Sequence, residues 1–378
     1  MKNWKIPLYK IQNDKNDLKS ITKVIKRGMD WAIGPEVEKF ENSFASYIGT
    51  KYCVSFNSGT SAGHAALLSL GIKKNDEVIV PSFSFIATAN WPLMVNAKPK
   101  FVDIEDITLG LDPKKIESSI TKKTKAIIPI HYAGLPCQIG SIKKISDKYD
   151  IPLIEDAAES IGASIKNKKI GTFGKLSIFS FAGNKVMTTG EGGAIVTNSK
   201  KIFEKLKLIR SHGRSSSNYF SSTKPANYIE LGYNWRMSSI TAALALSQLK
   251  KINKLISSRR KNAKYMIEKL SKFDEILVPS EPKYYKHAFQ LFSIRLPERT
   301  TRDNLSKFLA KKGIMTKVFF EPIHLSNFYQ NLDLPVKNNL KTTEKISNEI
   351  LSLPMYPGLK KQNIDYIINS IGKFFKSE

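Results

Sequence analysis

Short apolar segments that resemble strands alternate with helix-like segments through the first two thirds of the chain. The segment GTSAGHAALLSL (residues 59–70) is rich in alanine and leucine and ends at Gly71, a residue suited to the position after a helix. The apolar segment EVIVP follows, and the rhythm continues through KFVDI, KAIIPIH, IPLIEDAA, LSIFSF and GGAIVT. This order is typical of a mainly parallel β-sheet covered by helices on both faces. We therefore predict an α/β fold whose ligands bind beyond the carboxyl ends of the strands.

A helix-like segment of unusual length, residues 238–270, separates this region from the rest of the chain. After it come a strand-like AFQLFSIRL, a helix-like TRDNLSKFLAKKG, a strand-like IMTKVFF (residues 314–320) and a closing helix near residues 362–375. These segments are enough for a small α/β domain. We place the boundary inside the long helix, which gives a large ligand-binding domain of residues 1–250 and a small C-terminal domain of residues 251–378.

The chain carries 60 Lys and Arg against 33 Asp and Glu, a net charge of +27. Such a charge attracts nucleic acids, anionic membranes or phosphorylated metabolites. The lysines are spread over nearly every segment and do not form a basic arm or an arginine-rich stripe with aromatic residues. This distribution favours an ordinary solvated surface, so we expect neither a nucleic-acid partner nor a membrane partner.

Cysteine and histidine usage argues against a disulfide framework and a metal site. Cys53 and Cys137 are the two cysteines, they form no C-x-x-C pair, and both are predicted to be buried. The five histidines form no H-x-x-x-H pair. No run of about eighteen apolar residues occurs, and the start MKNWKIPLYKIQND lacks the apolar region of a secretory signal. We expect a soluble cytoplasmic protein without a metal.

Two residues near strand ends suit amino-group transfer, which needs a lysine amine for a Schiff base and an acid that keeps the cofactor's ring nitrogen protonated. Asp156 ends the apolar IPLIED, and Lys185 lies in FSFAGNKVMTTGEGG, whose glycines let the backbone pass close to a bulky group. Each residue alone has a more ordinary interpretation. A strand-end acid is commonly a helix cap or an ion-pair partner, and a lysine is commonly on the surface.

A phosphate group and an aromatic ring also have candidate partners. NSGTSAG opens a helix and offers Gly59, Thr60 and Ser61, whose N–H and hydroxyl groups can bind a phosphate, although a simple helix cap has the same appearance. Phe85 in PSFSFIATAN can stack on a ring, although most phenylalanines fill cores.

Six motifs occur in one order: NSGTSAGHAALLSLGI, PSFSFIATAN, IEDAAESIGA, GTFGKLSIFSFAGNKVMTTGEGGAIVT, LGYNWRMSSITAALALSQL and LPMYPGL. In these motifs the chain resembles the sugar aminotransferases of the DegT/DnrJ/EryC1/StrS family, from GPEVEKFE near residue 34 to the C-terminal helix. The resemblance implies fold type I of the pyridoxal-phosphate (PLP) enzymes, the aspartate-aminotransferase architecture. It also implies a homodimer with active sites at the subunit interface. We hypothesise that L-glutamate is the amino donor and a nucleotide-linked keto sugar the acceptor.

The resemblance assigns roles to single residues. Lys185 would hold the cofactor covalently and move protons, Asp156 would pair with the ring nitrogen, and Glu159 would lie on the side of the ring hydroxyl, where many relatives have Gln. Ser180, together with Thr60 and Ser61, would bind the phosphate, and Asn234 would reach the phosphate that the neighbouring subunit holds. Phe85 would stack on the ring. His324 of EPIHL would approach the sugar, although a histidine beside a proline turn is at least as often structural.

The form GNKVMTTGEGG resembles the perosamine-synthase-like and bacillosamine-type branch, which aminates carbon 4 of 4-keto-6-deoxy sugars. Three alternatives stay open: a 3-keto sugar aminotransferase, a PLP-dependent sugar dehydratase, and a regulatory or nucleic-acid-binding protein on the same scaffold. Some relatives that remove a hydroxyl carry His in place of the lysine, so Lys185 argues against the dehydratase. The polar segment 213–228 is predicted to be a long loop that borders the site and helps to select the nucleotide among GDP, UDP and dTDP.

Overall fold

A computed structural model of the chain describes residues 4–215, 223, 225–332, 334 and 340–377. The strands are β1 (Tyr52–Phe56), β2 (Glu77–Pro81), β3 (Lys98–Val102), β4 (Thr124–Ile127), β5 (Ile154–Asp156), β6 (Ser164–Ile165), β7 (Lys168–Lys169), β8 (Leu176–Ser180), β9 (Gly193–Thr197), β10 (Tyr285–Lys286), β11 (Phe292–Arg295) and β12 (Ile350–Leu353).

The helices are α1 (Lys15–Arg27), α2 (Pro35–Ile48), α3 (Gly59–Ser69), α4 (Ala87–Met94), α5 (Pro113–Ser119), α6 (Ile139–Lys148), α7 (Lys200–Arg210), α8 (Ser239–Lys250), α9 (Ile252–Leu270), α10 (Arg299–Lys311), α11 (Asn327–Gln330), α12 (Lys341–Glu349) and α13 (Lys361–Ser377). Short 3₁₀ turns lie at Tyr132–Gly134 and Ile323–Leu325. Most of the predicted segments of the first two thirds therefore form the elements that their patterns indicated.

The central sheet has the strand order β3-β2-β4-β5-β8-β9-β1. Strands β3, β2 and β4 pair in parallel, as do β5 and β8, and parallel bridges from Ile127 to Leu153 and from Ile130 to Asp156 connect β4 to β5. Within the part of the chain that the structure describes, β9 alone runs antiparallel to its neighbours in this sheet, β8 and β1. The predicted mainly parallel mixed sheet is confirmed, and the carboxyl ends of β4, β5 and β8 lie at one edge.

Alternation of side chains along these strands fills two cores, one on each face of the sheet. In β2, Ile79 packs into one apolar cluster, whereas Val78 and Val80 pack into the other. In β8, Phe179 and Ile178 divide in the same way. Since both faces are apolar, both must be covered, and helices cover them.

The C-terminal part has its own apolar cluster around the antiparallel pair β11 and β12, with α9, α10 and α13 against it. The predicted strand at residues 314–320 is wrong. The segment makes two isolated bridges, Ile314 with Ile6 and Lys317 with Ser352. Its two bridges lead to different partners, so no continuous ladder forms.

The predicted single helix over residues 238–270 is also wrong, because the chain leaves helical geometry at Lys251 (φ −107°, ψ 5°) and continues as α9. The Lys251 ammonium pairs with Asp14 and Asp17 at the start of α1. The beginning of α9 packs with the large domain through Ile256, and its end packs with the C-terminal cluster. A domain boundary between residues 250 and 251 stays a prediction.

Three further predictions concern the molecule as a whole. Cys53 and Cys137 are buried and unpaired, as predicted. Among the described residues, no helix is both long and apolar enough to cross a membrane. Of the predicted loop 213–228, residues 216–222 and 224 lie outside the described residues, so its role beside the site stays a prediction.

Candidate active site

A cavity of about 780 Å³ opens at the carboxyl ends of the central strands, between the large domain and residues 315–320 of the C-terminal part. Most of the predicted site residues line this cavity: Gly59, Thr60, Phe85, Asp156, Glu159, Ser180 and Lys185. The other three, which are Ser61, Asn234 and His324, do not line it. Packing therefore brings together residues from four separate motifs.

Lys185 reaches the cavity from the turn that follows β8. Its backbone N–H donates to the carbonyl of Ala182, and Gly190, which has a positive φ of 83°, carries the chain back towards β9. The Lys185 side chain is 13% exposed, and its Nζ lies 3.3 Å from Oε1 of Glu159. A primary amine is thus held in a largely enclosed space beside one carboxylate.

Asp156 ends β5 and is 2% exposed. Its Oδ2 accepts a hydrogen bond from Oγ1 of Thr88 at 2.7 Å, and its Oδ1 accepts one from the N–H of Ala158 at 3.2 Å. Burial raises the pKa of this carboxyl, and the hydrogen bonds from Thr88 and Ala158 oppose the rise. A cation placed beside Asp156 would favour its charged form, so the site suits a protonated ring nitrogen.

Glu159 joins the lysine to the neighbouring loop. Its Oε2 accepts a hydrogen bond from the N–H of Ala133 at 2.9 Å, and Ala133 has a positive φ of 56°. A Cβ added at Gly134, where φ is 95°, would lie 3.1 Å from the carbonyl oxygen of Glu159. The loop and the acid therefore pack closely and restrict each other.

The amino end of α3 also lines the cavity. Oγ of Ser58 accepts the N–H of Ser61 at 3.0 Å, whereas Gly59 and Thr60 stand in the first turn, where N–H groups have no intrahelical acceptor. A Cβ added at Gly59 would lie 3.0 Å from Cβ of Ser180, so the two residues are adjacent. N–H groups at a helix start and a serine hydroxyl are suitable partners for a phosphate.

Three predicted residues take other positions in this chain. Ser61 donates its hydroxyl to Oδ1 of Asn57 at 2.6 Å, and Asn234 is exposed and bridges to Ser211. His324 is buried, with Nδ1 at 2.7 Å from Oγ of Ser82 and Nε2 at 3.4 Å from Oε1 of Glu344. Burial lowers the pKa of His324, and the hydrogen bond with Glu344 opposes that effect. A role for each of the three in ligand binding stays a prediction.

Sequence reasoning missed several residues of the cavity. Thr88 was part of the motif PSFSFIATAN, and its spacing of four residues from Ser84, whose hydroxyl lies 2.7 Å from that of Thr88, was a usable signal. Tyr9, Lys317 and Phe319 also line the cavity, but they come from distant parts of the chain and had no local signal.

The residues present fit pyridoxal phosphate. A lysine amine can bond to its aldehyde, a buried acid can hold its ring nitrogen, and N–H groups with a serine hydroxyl can bind its phosphate. Phe85 is 58% exposed at the cavity wall, where a ring can cover it. The groups that this cofactor needs therefore face one cavity.

Comparison with known proteins agrees with this geometry. The family model for the DegT/DnrJ/EryC1/StrS aminotransferases matches residues 11–372. An uncharacterised protein of Methanocaldococcus jannaschii is 39% identical over 352 residues, which are 91% of each chain. A GDP-perosamine synthase of Caulobacter vibrioides is 36% identical over 343 residues, which are 90% of each chain. Among solved structures, PseC of Helicobacter pylori, an aminotransferase involved in the biosynthesis of pseudoaminic acid, is 30% identical with a TM-score of 0.92 over 100% of both chains.

These matches extend over nearly the whole chain, and the architecture of the solved relative is the predicted fold type I. The expected resemblance is confirmed by the family model and by the relatives of known activity. The chain therefore belongs to the DegT/DnrJ/EryC1/StrS aminotransferase family and is a PLP-dependent sugar aminotransferase.

Proposed function

We propose that this enzyme transfers the amino group of L-glutamate to carbon 4 of a nucleotide-linked 4-keto-6-deoxy sugar, in the cytoplasm, as a step towards a surface glycan. The observation that carries the proposal is the placement of Lys185, Glu159 and Asp156 in one cavity with the start of α3. The identity of 36% to a protein named GDP-perosamine synthase supports the carbon-4 branch.

The cavity residues divide into those that hold the cofactor and those that act in the reaction. Thr60, Gly59 and Ser180 would bind the phosphate, and Asp156, oriented by Thr88, would pair with the ring nitrogen. Phe85 would stack on the ring. The cofactor would thus be held both at its ring and at its phosphate.

Bound pyridoxal phosphate supplies an aldehyde that joins to an amine and a ring that stabilises negative charge at the neighbouring carbon. Lys185 would be the amine that holds it, and the Lys185 Nζ would also be the base that moves a proton to and from that carbon. Glu159, 3.3 Å from the Lys185 Nζ, orients the amine and accepts a hydrogen bond from it. Since the Lys185 side chain is only 13% exposed, little water competes for it.

We further propose a homodimer in which Asn234 of one subunit reaches the phosphate held by its partner. Within its own chain Asn234 is exposed and does not line the cavity, which is consistent with a role in another subunit. A phosphate held by Ser180 and the start of α3 could also accept a hydrogen bond from the Asn234 amide of the other subunit, because each phosphate oxygen can accept more than one hydrogen bond.

The dehydratase and regulatory alternatives have less support. A dehydratase of this family would carry a histidine in place of Lys185, and a regulatory protein would not need the amine, the buried acid and the helix start to face one cavity. Nor does a nucleic-acid-binding surface have support, because the lysines are dispersed over the chain.

The first test is the absorbance spectrum of the PLP-reconstituted protein before and after addition of L-glutamate. In the parent protein we expect a visible absorbance band from the lysine-linked cofactor, and addition of glutamate should remove this band. The Lys185→Ala variant should lack the band. Lys201→Ala, a change at an exposed lysine of α7, is the matched control and should keep the band. A parent protein without the band would contradict the proposal.

The second test identifies the product. The enzyme is incubated with L-glutamate and GDP-, UDP- or dTDP-linked 4-keto-6-deoxy sugars, and the product is examined by NMR. We expect nitrogen at carbon 4 with one nucleotide preferred over the others. Amination of the corresponding 3-keto sugars, with the 4-keto sugars left unchanged, would reject the carbon-4 assignment and favour the 3-keto alternative, whereas release of a deoxy product would favour the dehydratase.

A further inference from the structure

Part of the cavity lining comes from residues 315–320 of the C-terminal part. Met315, Lys317, Phe319 and Phe320 line the cavity, whereas Val318 packs into an apolar cluster. The Lys317 side chain therefore belongs to the lining of the proposed active site.

The backbone of Lys317 is held in place on both sides. Its N–H donates to the carbonyl of Ser352 at 3.2 Å, and the N–H of Ser352 donates to the carbonyl of Lys317 at 2.8 Å. Ser352 belongs to β12, so the lysine is attached to the sheet of the C-terminal part. A cation on a fixed backbone loses less freedom when it binds an anion than one on a mobile loop.

Among the described residues, no carboxylate neutralises the charge of Lys317. Its ammonium lies 5.2 Å from the centroid of the Phe319 ring, and no carboxylate in the described ranges forms an ion pair with it. Of the residues that the structure describes, three acids, Asp156, Glu159 and Glu191, and two lysines, Lys185 and Lys317, line the cavity. Lys185 faces Glu159, so Lys317 is the cavity lysine that stays available for a ligand.

We propose that Lys317 binds an oxyanion of the substrate at the entrance of the active site. This inference rests on the proposed function, in which both substrates are anionic: glutamate has two carboxylates, and a nucleotide-linked sugar has a diphosphate. In the described part of the cavity lining, Lys185 already faces the Glu159 carboxylate, so Lys317 is the ammonium that can attract a substrate oxyanion. Carboxylate and diphosphate oxygens present the same chemistry to an ammonium group.

The test measures binding to the PLP-loaded enzyme by calorimetry, without turnover. The probes are glutarate, a dicarboxylate with no amine to transfer, and GDP and UDP, which lack the sugar. We expect Lys317→Gln to weaken binding of the glutarate probe or of the nucleoside diphosphates by about tenfold, the usual effect of losing one charge-assisted hydrogen bond. Lys317→Arg, which keeps the charge, should bind within about threefold of the parent.

Lys307→Gln removes the same charge at an exposed position of α10 and controls for the overall field of the protein. An effect of Lys317→Gln on glutarate alone identifies the donor carboxylate as the ligand, and an effect on the nucleoside diphosphates alone identifies the diphosphate. Affinities that stay within about twofold for every probe, or an equal loss in Lys307→Gln, would overturn the proposal. The visible band of the lysine-linked cofactor, recorded on the same samples, tests the proposed function separately.

Discussion

The Nζ atom of Lys185 lies 3.3 Å from Oε1 of Glu159, while the other carboxylate oxygen of Glu159 accepts the N–H of Ala133. One side chain thus connects the reactive amine to a loop whose backbone has an unusual conformation at Ala133. The position of the amine and the shape of the loop are consequently coupled.

Glu159→Ala is expected to lower the free energy of unfolding by about 1–3 kcal/mol, because the buried N–H of Ala133 then has no acceptor. Glu159→Gln keeps a carbonyl oxygen at the same place, so it should lower the free energy of unfolding by less than Glu159→Ala does. Urea denaturation of both variants measures the difference. Equal losses would show that the hydrogen bond to Ala133 is not the reason.

Asp156→Asn keeps the shape of the side chain but removes its charge. We expect the affinity for pyridoxal phosphate to fall by about tenfold to a hundredfold, the range for a hydrogen bond to a charged group. Equilibrium dialysis of the cofactor provides the measurement. Asp150→Asn, at an exposed position with a positive φ that asparagine tolerates, is the control and should bind normally.

Thr88→Val should change the pH at which the cofactor is released. Burial raises the pKa of Asp156 and the hydroxyl of Thr88 opposes that rise, so its removal raises the pKa further. Since the ring nitrogen needs a charged carboxylate, release on acidification should begin at a higher pH in Thr88→Val than in the parent. Thr88→Ser retains the hydroxyl and should behave like the parent. Absorbance recorded from pH 8 downwards, about 0.5 unit at a time, checks this.

Gly193→Ala should disturb the start of α3. The added Cβ would lie 2.4 Å from the carbonyl oxygen of Ser58, which is backbone and cannot move aside easily. We expect a loss of about 1–3 kcal/mol in stability and weaker cofactor binding. Gly140→Ala is the matched control, because nothing lies within 4 Å of a Cβ there and alanine favours the helix α6. A normal cofactor affinity in Gly193→Ala would contradict the expected approach of Ser58.

His287 should make the protein sensitive to acid. Burial lowers the pKa of His287 to about 3, and the charge of Arg260 adds to the effect. In the unfolded chain this histidine binds a proton near pH 6.5, whereas in the folded chain it stays neutral until the pH is near 3. The free energy of unfolding therefore falls as the pH decreases from about 6.5 towards 3.

The variant His287→Asn removes this proton while keeping an acceptor for the N–H of Phe289. Its stability should depend on pH less steeply than that of the parent between pH 6 and 4, by about 1.4 kcal/mol per pH unit. Urea denaturation across this range gives both slopes. Identical slopes would mean that His287 is protonated in the folded enzyme.

The sequence alone determined the class of fold and the position of the main chemistry. The alternation of apolar strands and amphipathic helices predicts the parallel sheet, because local periodicity records which face of each element is buried. Asp156 ends β5 and Lys185 follows β8, and these two strands are parallel neighbours, so the meeting of the two residues at one edge of the sheet follows from topology. The motifs around them identified the family.

Tertiary structure decided the contacts between residues that are distant in sequence. Thr88 and Asp156 are 68 positions apart, and Lys317 enters the cavity from the C-terminal part, so no local pattern could place them. Packing likewise placed His324 against Ser82 and away from the cavity. The long helix is broken at Lys251, although no glycine or proline stands at that point. Periodicity encodes the burial of one element, whereas the direction in which two elements meet depends on the whole chain.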